Sequence, residues 1–395
     1  MPLSAHDDAM LQRALALAEG SIGLSEPNPR VGCVLHDAAG QLAGEGFTQQ
    51  AGGPHAEVMA LRDAAAAGRS PAGGTAWVSL EPCAHHGRTP PCTDALIRAG
   101  LHRVVVATSD PYAEVAGRGI ARLRAAGMVV DLAPNGATQR AARELNIGFF
   151  SRLLRHRPWL RMKAAASLDG RTALPNGSSQ WITGEAARQD GHAWRRRAGA
   201  LLTGIGTVRH DNPQLDVRLV TTAQQPLRVV VDSAFSLSPQ ARLLQTPGRV
   251  LVVGARTHNA RMAALRDAGA ELLLLPDSQS GSIRVDLAAL LGHLAAEGVN
   301  ELHLEAGATL NAAMLAAGLV DELLLYLAPM WLGPGRDIAS LPLLPSLAEA
   351  QRWQFTQLSQ VGGDLRLMAR PAQADAFLRP DEIAVAAPGA AAWPA

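Results

Sequence analysis

Residues 55–92 read HAEVMALRDAAAAGRSPAGGTAWVSLEPCAHHGRTPPC, and the rest of the chain is organised around them. His55, Cys83 and Cys92 offer one imidazole and two thiolates, a donor set suited to zinc. Three protein ligands leave a fourth tetrahedral position open to water, which indicates chemistry rather than a structural staple. Glu57 stands two residues after the histidine, where a carboxylate can take a proton from that water and hand it to a leaving amine. The run from His55 to Gly68 reads as a helix, and PCTDALIRAG as a second one from Cys92 to Gly100, each with a glycine stop. Side chains tilt toward a helix N-terminus, so His55 and Glu57 can converge in a first turn. The helix-end dipole also favours the thiolate that zinc requires.

This division of labour is that of the zinc deaminases. Many of them hold their cysteines in a C-x-x-C spacing, whereas the eight residues AHHGRTPP separate Cys83 from Cys92 here. HAE followed by EPCAHHGRTPPC resembles the bifunctional deaminase-reductase family of riboflavin biosynthesis. The resemblance implies a cytidine-deaminase-like domain and a pocket shaped by the insert. It also implies Arg88 against a ribose 5-phosphate and Asn28 of PNPRVG against a pyrimidine. A solvated loop is the lesser alternative for His85, His86 and Arg88, whereas on the residues alone Asn28 equally fits an Asx-type turn before Pro29.

A chain of 395 residues exceeds one ordinary domain, and with 48% hydrophobic residues it can build two globular cores. Lys and Arg number 36 against 35 Asp and Glu, so no charge excess calls for a nucleic-acid backbone. The N-terminus lacks a basic, apolar signal, and ELLLLP and ELLLYLAP are bounded by charge or proline and read as buried strands. The expectation is a cytoplasmic protein with a small-molecule substrate and no nucleic-acid or membrane partner, self-association into a homo-oligomer being admitted. Cys33 is the one cysteine beyond the ligand pair, so there is no disulfide framework. VGCVL places it in the core, while a role as fourth ligand would close the metal site.

In chain order, SAHDDAMLQRALALAEG offers Ser4 and Asp7 as a capping pair and Gly20 as a stop. VGCVL and GEGF make a hairpin-like pair before the zinc helix. TAWVSL, the Cys92 helix, RVVVATS, GIARLRAAG and MVVDLA then alternate as strand and helix, an α/β rhythm with both ligand segments at strand-to-helix turns. DPYAEVAGRGI is assigned no contact. TQRAARELNIGFFSRLLRHRPW reads as one helix and a basic connector, with Pro158 starting a new strand. The deaminase domain is therefore placed over residues 1–145 and a second domain over 146–370. Residues 371–395, Ala/Pro-biased and without periodicity, are expected to form a disordered tail.

The second half lacks a GxGxxG fingerprint, but TGIGT and EAGAT are Gly-rich turns at strand ends. The latter opens the helix TLNAAMLAAG, whose N-terminus suits an anion. KAAASLDGRTA, SQWIT, TVRHDNPQLDVR, RVVVDS and LEAGATL, in that order, resemble the reductase half of the same family, which is similar to dihydrofolate reductase in fold and uses NADPH. The resemblance implies NADPH contacts from Ala165, Trp181, Thr207, Asp211, Ser233 and the turn of Gly307, Ala308 and Thr309. It implies that Ser179, Arg195, Leu215, Arg218 and Glu305 hold a phosphoribosyl substrate. On the residues alone, Trp181 reads sooner as a core side chain and Arg195 as a helix-face charge. Ala306 stands where the family often has glycine, which bears on backbone access to the cofactor, and Asn212 replaces the second aspartate before Pro213.

The resemblance thus implies an α/β enzyme with two activities on one intermediate. A zinc domain would hydrolyse the C2 amine of a diaminopyrimidinone ribosylamino 5-phosphate, with Glu57 moving the proton. A reductase domain would convert the product's ribosyl group to ribityl. A nucleoside or nucleic-acid deaminase with an appended nucleotide-binding domain is the rival reading, against which the insert argues. Against a zinc-stapled interaction protein stand the absence of a convincing fourth ligand and the presence of Glu57. The sequence names no proton donor for the reduction.

Overall fold

The computed structural model describes residues 3–86, 90–112, 116–278 and 283–379. They form two compact units, divided between Arg155 and His156, with the segment from Ala376 returning to the first. The first unit opens with α1 (Ala5–Ala18), started by the expected capping box: Asp7 N–H donates to Ser4 Oγ at 3.0 Å and Ser4 N–H to the Asp7 carboxylate at 3.2 Å. There follow β1 (Gly32–His36), β2 (Leu42–Phe47), α2 (Ala56–Ala66), β3 (Thr75–Val78) and α3 (Cys92–Arg98). The unit continues with β4 (Arg103–Val106), α4 (Arg118–Ala125), β5 (Val129–Leu132), α5 (Ala137–Leu145) and α6 (Ile147–Arg155).

Its sheet runs β2-β1-β3-β4-β5, with β1 antiparallel to both neighbours and the other pairs parallel. Asp7 fastens α1 to the sheet by accepting from Trp77 Nε1 at 2.9 Å and from Arg103 Nη1 at 2.7 Å. Burial alone would raise its pKa, but these bonds hold it well below the carboxylate range. The zinc helix lies against β2 because that strand is GEG at its centre. A Cβ on Gly44 would fall 2.3 Å from Ala60 O, and one on Gly46 2.5 Å from Ala60 N. Only glycine permits that approach.

The division of the structure differs from the expected boundary at residue 146. Asn146 is 2% exposed, and its side-chain amide bonds both backbone groups of Arg30, at 2.7 and 2.9 Å. Ile147, Phe149 and Phe150 of α6 are likewise buried. A segment that satisfies buried polar groups and buries aromatic surface belongs to a core, not a linker. The expected tail is corrected in the same way. The chain stays ordered past residue 371, and Phe377 and Leu378 are buried in a short 3-10 turn whose Leu378 carbonyl accepts from Arg143 Nη1 at 2.6 Å. Residues 380–395 lie outside the described residues.

The second unit comprises β6 (Trp159–Ser167), β7 (Arg171–Ala173), α7 (Glu185–Arg197), β8 (Ala200–Gly204), α8 (Ile205–Asp211) and β9 (Leu227–Val231). It goes on with β10 (Val250–Gly254), α9 (Asn259–Asp267), β11 (Glu271–Leu274), α10 (Leu287–Ala296), β12 (Glu301–Leu304) and α11 (Ala308–Ala316). Last come β13 (Glu322–Ala328), β14 (Arg336–Asp337), β15 (Trp353–Val361) and β16 (Asp364–Pro371). The large sheet is ordered β11-β10-β9-β8-β12-β6-β13-β16-β15. It is parallel as far as β13 and closed by the antiparallel β16 and β15. This is the expected α/β arrangement of the dihydrofolate reductase kind. ELLLYLA forms an alternately buried β13, but ELLLLP forms β11 at the sheet edge, where Leu274 is 41% exposed instead of buried. No helix among the described residues is long and apolar enough to cross a membrane.

Candidate functional site

The metal ligands meet because two helices begin side by side. His55 is the N-cap of α2, Glu57 lies in its first turn, and Cys92 opens α3. His55 Nδ1 stands 3.3 Å from Cys92 Sγ and 3.7 Å from Cys83 Sγ. Zn–S bonds of about 2.3 Å and Zn–N bonds of about 2.0–2.1 Å at a tetrahedral angle require roughly 3.5 Å between nitrogen and sulfur, so the three donors fit one shared ion. The Cys92 amide donates to Cys83 Sγ at 3.3 Å, as a helix start offers to an anion. Among the described residues the metal-competent group is His55, Cys83 and Cys92. Cys33 is buried in β1 outside that group, a core thiol whose pKa burial pushes up.

The two cysteines shift one another's pKa in opposite directions. The Cys92 thiol, the buried surroundings and His55 act together on Cys83, and the hydrogen bonds win, holding it down to about 4. Cys92 is pushed up by its bond to Cys83 and by burial. His55 is pushed up chiefly by Cys83. Glu57 is 3% exposed; burial, then the nearby Cys83 charge, raises its carboxyl pKa above the ordinary carboxylate value.

Around this centre, Asn28 forms no Asx turn: its backbone N–H bonds Ser25 O at 2.8 Å and its carbonyl accepts from Ser25 Oγ, and its own side chain makes no bond among the described residues. Arg88 lies outside the described residues, as do Gly87 and Thr89. Sequence reasoning missed Glu81 and Asp110. Glu81, buried beside the zinc loop, accepts the amides of Asp110, Gly117 and Ile120 at 3.3, 3.0 and 3.1 Å, and so ties those three residues to that loop. Asp110 is pushed up to about 8 by burial, with the Glu81 and Cys83 charges adding to it. The only signal for either was an acidic residue next to a proline.

In the second unit, strand order gathers residues that are far apart in sequence. Ala165 lies toward the C-terminal end of β6, Thr207 in the helix after β8, Ser233 after β9 and the 305–309 turn after β12, and these strands are neighbours in the order β9-β8-β12-β6. Such carboxyl ends are where open α/β sheets bind ligands. Gly307 is the N-cap of α11, with Ala308 and Thr309 in its first turn, and its N–H donates to Thr207 Oγ1 at 3.1 Å. Asp211 ends α8, and Asn212 caps it in the left-handed region (φ 40°), a conformation asparagine tolerates, while its Oδ1 accepts from Arg242 N at 2.9 Å. Ala306 packs its methyl against the unit's apolar core.

Arg195 is no helix-face charge. Its Nη2 lies 2.8 Å from Glu305 Oε2, its Nε bonds Oε1, and its Nη1 donates to Asp216 O at 2.9 Å. Burial would raise the Glu305 pKa, but Arg195 overrides it and keeps the carboxyl ionised. Arg218 Nη1 bonds Asp216 Oδ1 at 2.6 Å, and Leu215 precedes them, so Arg195, Leu215, Arg218 and Glu305, the residues expected at the substrate, come together. Trp181 is not core: it is 63% exposed, with the Arg188 guanidinium 4.5 Å from its ring centroid. Neither Ser179 nor Trp181 is hydrogen-bonded through its side chain to the Glu305 group among the described residues. Lys163, missed in the sequence, faces the Glu305 and Arg195 charges, and burial lowers its ammonium pKa.

Residues 4–108 match the family model described as the cytidine and deoxycytidylate deaminase zinc-binding region, and residues 158–367 match the RibD C-terminal domain. The chain is 41% identical over 374 residues to the riboflavin biosynthesis protein RibD of Escherichia coli strain K12, spanning 91% of this chain and 98% of that one. The Acinetobacter baumannii RibD structure superposes with a TM-score of 0.82 at 40% identity, covering 93% of this chain and 99% of that one. A Thermotoga maritima diaminohydroxyphosphoribosylaminopyrimidine deaminase/5-amino-6-(5-phosphoribosylamino)uracil reductase gives 0.80 at 30% identity, with the same coverages.

Proposed function

The chain belongs to the RibD family of riboflavin biosynthesis proteins, and on that premise we propose which reaction each unit performs and through which residues. It is a bifunctional enzyme with a zinc deaminase domain and an NADPH-dependent reductase domain. We assign the deaminase to the first unit and the reductase to the second, His156–Asp375. The first hydrolyses the C2 amine of diaminohydroxyphosphoribosylaminopyrimidine. The second reduces the resulting 5-amino-6-(5-phosphoribosylamino)uracil at its ribosyl group. The observation that carries this reading is the shared-ion geometry of His55, Cys83 and Cys92 with Glu57 buried at the same helix end.

Zinc held by these three ligands supplies Lewis-acid activation of a water. Glu57 takes up the proton at its carboxylate and delivers it to the departing amine, and its raised pKa suits both transfers. Asn28, whose side chain is not spent on a turn, orients the pyrimidine, and Arg88 meets the phosphate.

In the reductase, NADPH supplies a hydride. Ala165, Trp181, Thr207, Asp211, Ser233 and the turn of Gly307, Ala308 and Thr309 hold it along the strand ends. Ser179, Arg195, Leu215, Arg218 and Glu305 hold the phosphoribosyl group, so that positioning does most of the work. Lys163 delivers a proton from Nζ to the sugar oxygen, its lowered pKa easing the transfer.

Identical chains associate in this reading through β15, at the sheet edge among the described residues, where Phe355 and Leu358 are exposed. A cytoplasmic setting agrees with three unpaired cysteines. The test is ammonia release from the diamine by zinc-loaded protein, and NADPH oxidation with 5-amino-6-(5-phosphoribosylamino)uracil. Silence in both assays refutes the assignment.

A further inference from the structure

Three consecutive residues at the reductase site have their backbone held by side chains from elsewhere in the unit. The Asp216 carbonyl accepts from Arg195 Nη1 at 2.9 Å. Val217 is bonded on both sides by the Gln225 amide, its N–H donating to Oε1 and its carbonyl accepting from Nε2, each at 2.8 Å. The Arg218 N–H donates to His192 Nδ1 at 3.2 Å. Just before them, Leu215 takes φ 51°, a left-handed conformation that a leucine seldom adopts unless its surroundings impose it.

His192 and Arg195 are three residues apart on α7 and so share a helix face. The helix therefore grips the loop at residues 216 and 218, while Arg195 also binds Glu305. His192 is 5% exposed. It must be an acceptor at Nδ1 to meet an amide, which puts the ring proton on Nε2. Burial first, then the Arg195 and Arg218 charges, push its pKa down to about 4, so the ring stays neutral and the bond persists at ordinary pH.

Neither His192 nor Gln225 belongs to the groups assigned to substrate or cofactor, yet together they secure the part of the loop that Arg195 leaves free. We propose that His192 and Gln225 are positioning residues of the reductase, holding residues 215–218 in the register that presents Leu215 and Arg218 to the phosphoribosyl substrate. The inference rests on the reductase reading given above. A loop ordered beforehand spares the substrate the entropy of ordering it, so the effect falls on substrate affinity and not on the cofactor.

The experiment is steady-state NADPH oxidation by the full-length, zinc-loaded protein with 5-amino-6-(5-phosphoribosylamino)uracil, varying each reactant in turn. The variants are His192→Leu, His192→Asn and Gln225→Leu. Asparagine sets an oxygen acceptor near the place of Nδ1, whereas leucine leaves the Arg218 amide unmet. His192→Leu and Gln225→Leu should raise KM for the uracil substrate about five- to tenfold, the scale of one or two lost hydrogen bonds. KM for NADPH and the rate of deamination should stay within about twofold, and His192→Asn should stay near wild type. If His192→Leu does not fold, the Gln225→Leu and His192→Asn results still decide the matter. The proposal is overturned if the two KM values rise together in Gln225→Leu, or if His192→Asn is impaired as much as a leucine variant. Wild-type protein that does not oxidise NADPH with this substrate overturns the reductase reading itself, and this inference with it.

Discussion

Arg195→Met should destabilise the second unit and remove substrate binding, and adding Glu305→Gln should restore much of the stability but none of the activity. The two side chains pair through both guanidinium nitrogens that face the carboxylate, and each is only 15% exposed. Without Arg195, Glu305 keeps His303 Nε2 at 3.3 Å and the Lys163 charge. His303 is a weak substitute, because burial lowers its pKa and keeps it neutral. Stranding one partner of a buried pair costs about 3–5 kcal/mol, equivalent to a fall of roughly 6–20 °C in Tm for a unit of this size. Neutralising the stranded group should leave the double variant only about 1–2 kcal/mol below wild type.

The pH dependence has a definite sign. Glu305 has a depressed folded pKa, so its contribution is present above the unfolded value of about 4.3 and is lost as pH falls through the folded value. In Arg195→Met the main depressing charge is gone and burial pushes the pKa back up against the remaining Lys163 and His303, so protonation relieves the variant first. The stability gap should therefore narrow as the pH drops into the ordinary carboxyl range. Denaturant melts of the three proteins from neutral to acid pH, with NADPH oxidation measured alongside, provide the check. A double variant no more stable than Arg195→Met, or a gap that widens in acid, would show that the pair is not what holds this site.

Cys83→Ser and Cys92→Ser should each lose zinc and deamination while retaining NADPH oxidation, since a hydroxyl is a far poorer zinc ligand than a thiolate; full zinc by elemental analysis would remove the site. Glu57→Gln should keep zinc and the reductase while deamination falls about 10²- to 10⁴-fold, the scale of a lost proton shuttle; ammonia release near the wild-type rate would refute the role. Mixed with Asp211→Ala, which should weaken NADPH use while sparing deamination, it should convert the diamine to the ribityl product, because no named residue serves both reactions. Failure of the mixture, when added intermediate reacts, would show that the intermediate is handed over within one assembly. Arg88→Ala should weaken the phosphorylated deaminase substrate much more than its dephosphorylated analogue, and equal losses in both would return Arg88 to the solvated loop.

What the sequence by itself determined are the features written in neighbouring residues. The Ser4 and Asp7 capping box, the glycine stop of the zinc helix and the apolar strand runs state where elements begin and end, because caps, glycines and periodicity act within a few residues. The zinc ligands were legible for a related reason: two of them open helices, so their chemistry and their placement are set by the same local signals. The family resemblance extended that reading to the reductase residues without showing how they meet.

Only the tertiary structure decided what depends on partners distant in the chain. Asn146 looks like a linker residue until Arg30, 116 positions away, takes up its amide. Leu378 looks like part of a loose tail until Arg143, 235 positions away, binds its carbonyl. Arg195 reads as a surface charge until β12, lying between β8 and β6, brings Glu305 against it. The physical reason is common to all three. Whether a polar group is solvated, paired or buried depends on which strand becomes its neighbour, and a buried polar group is tolerated only where its partner arrives with it. Arg, Asn and Leu carry no local mark of that outcome, so it is settled when the sheets assemble.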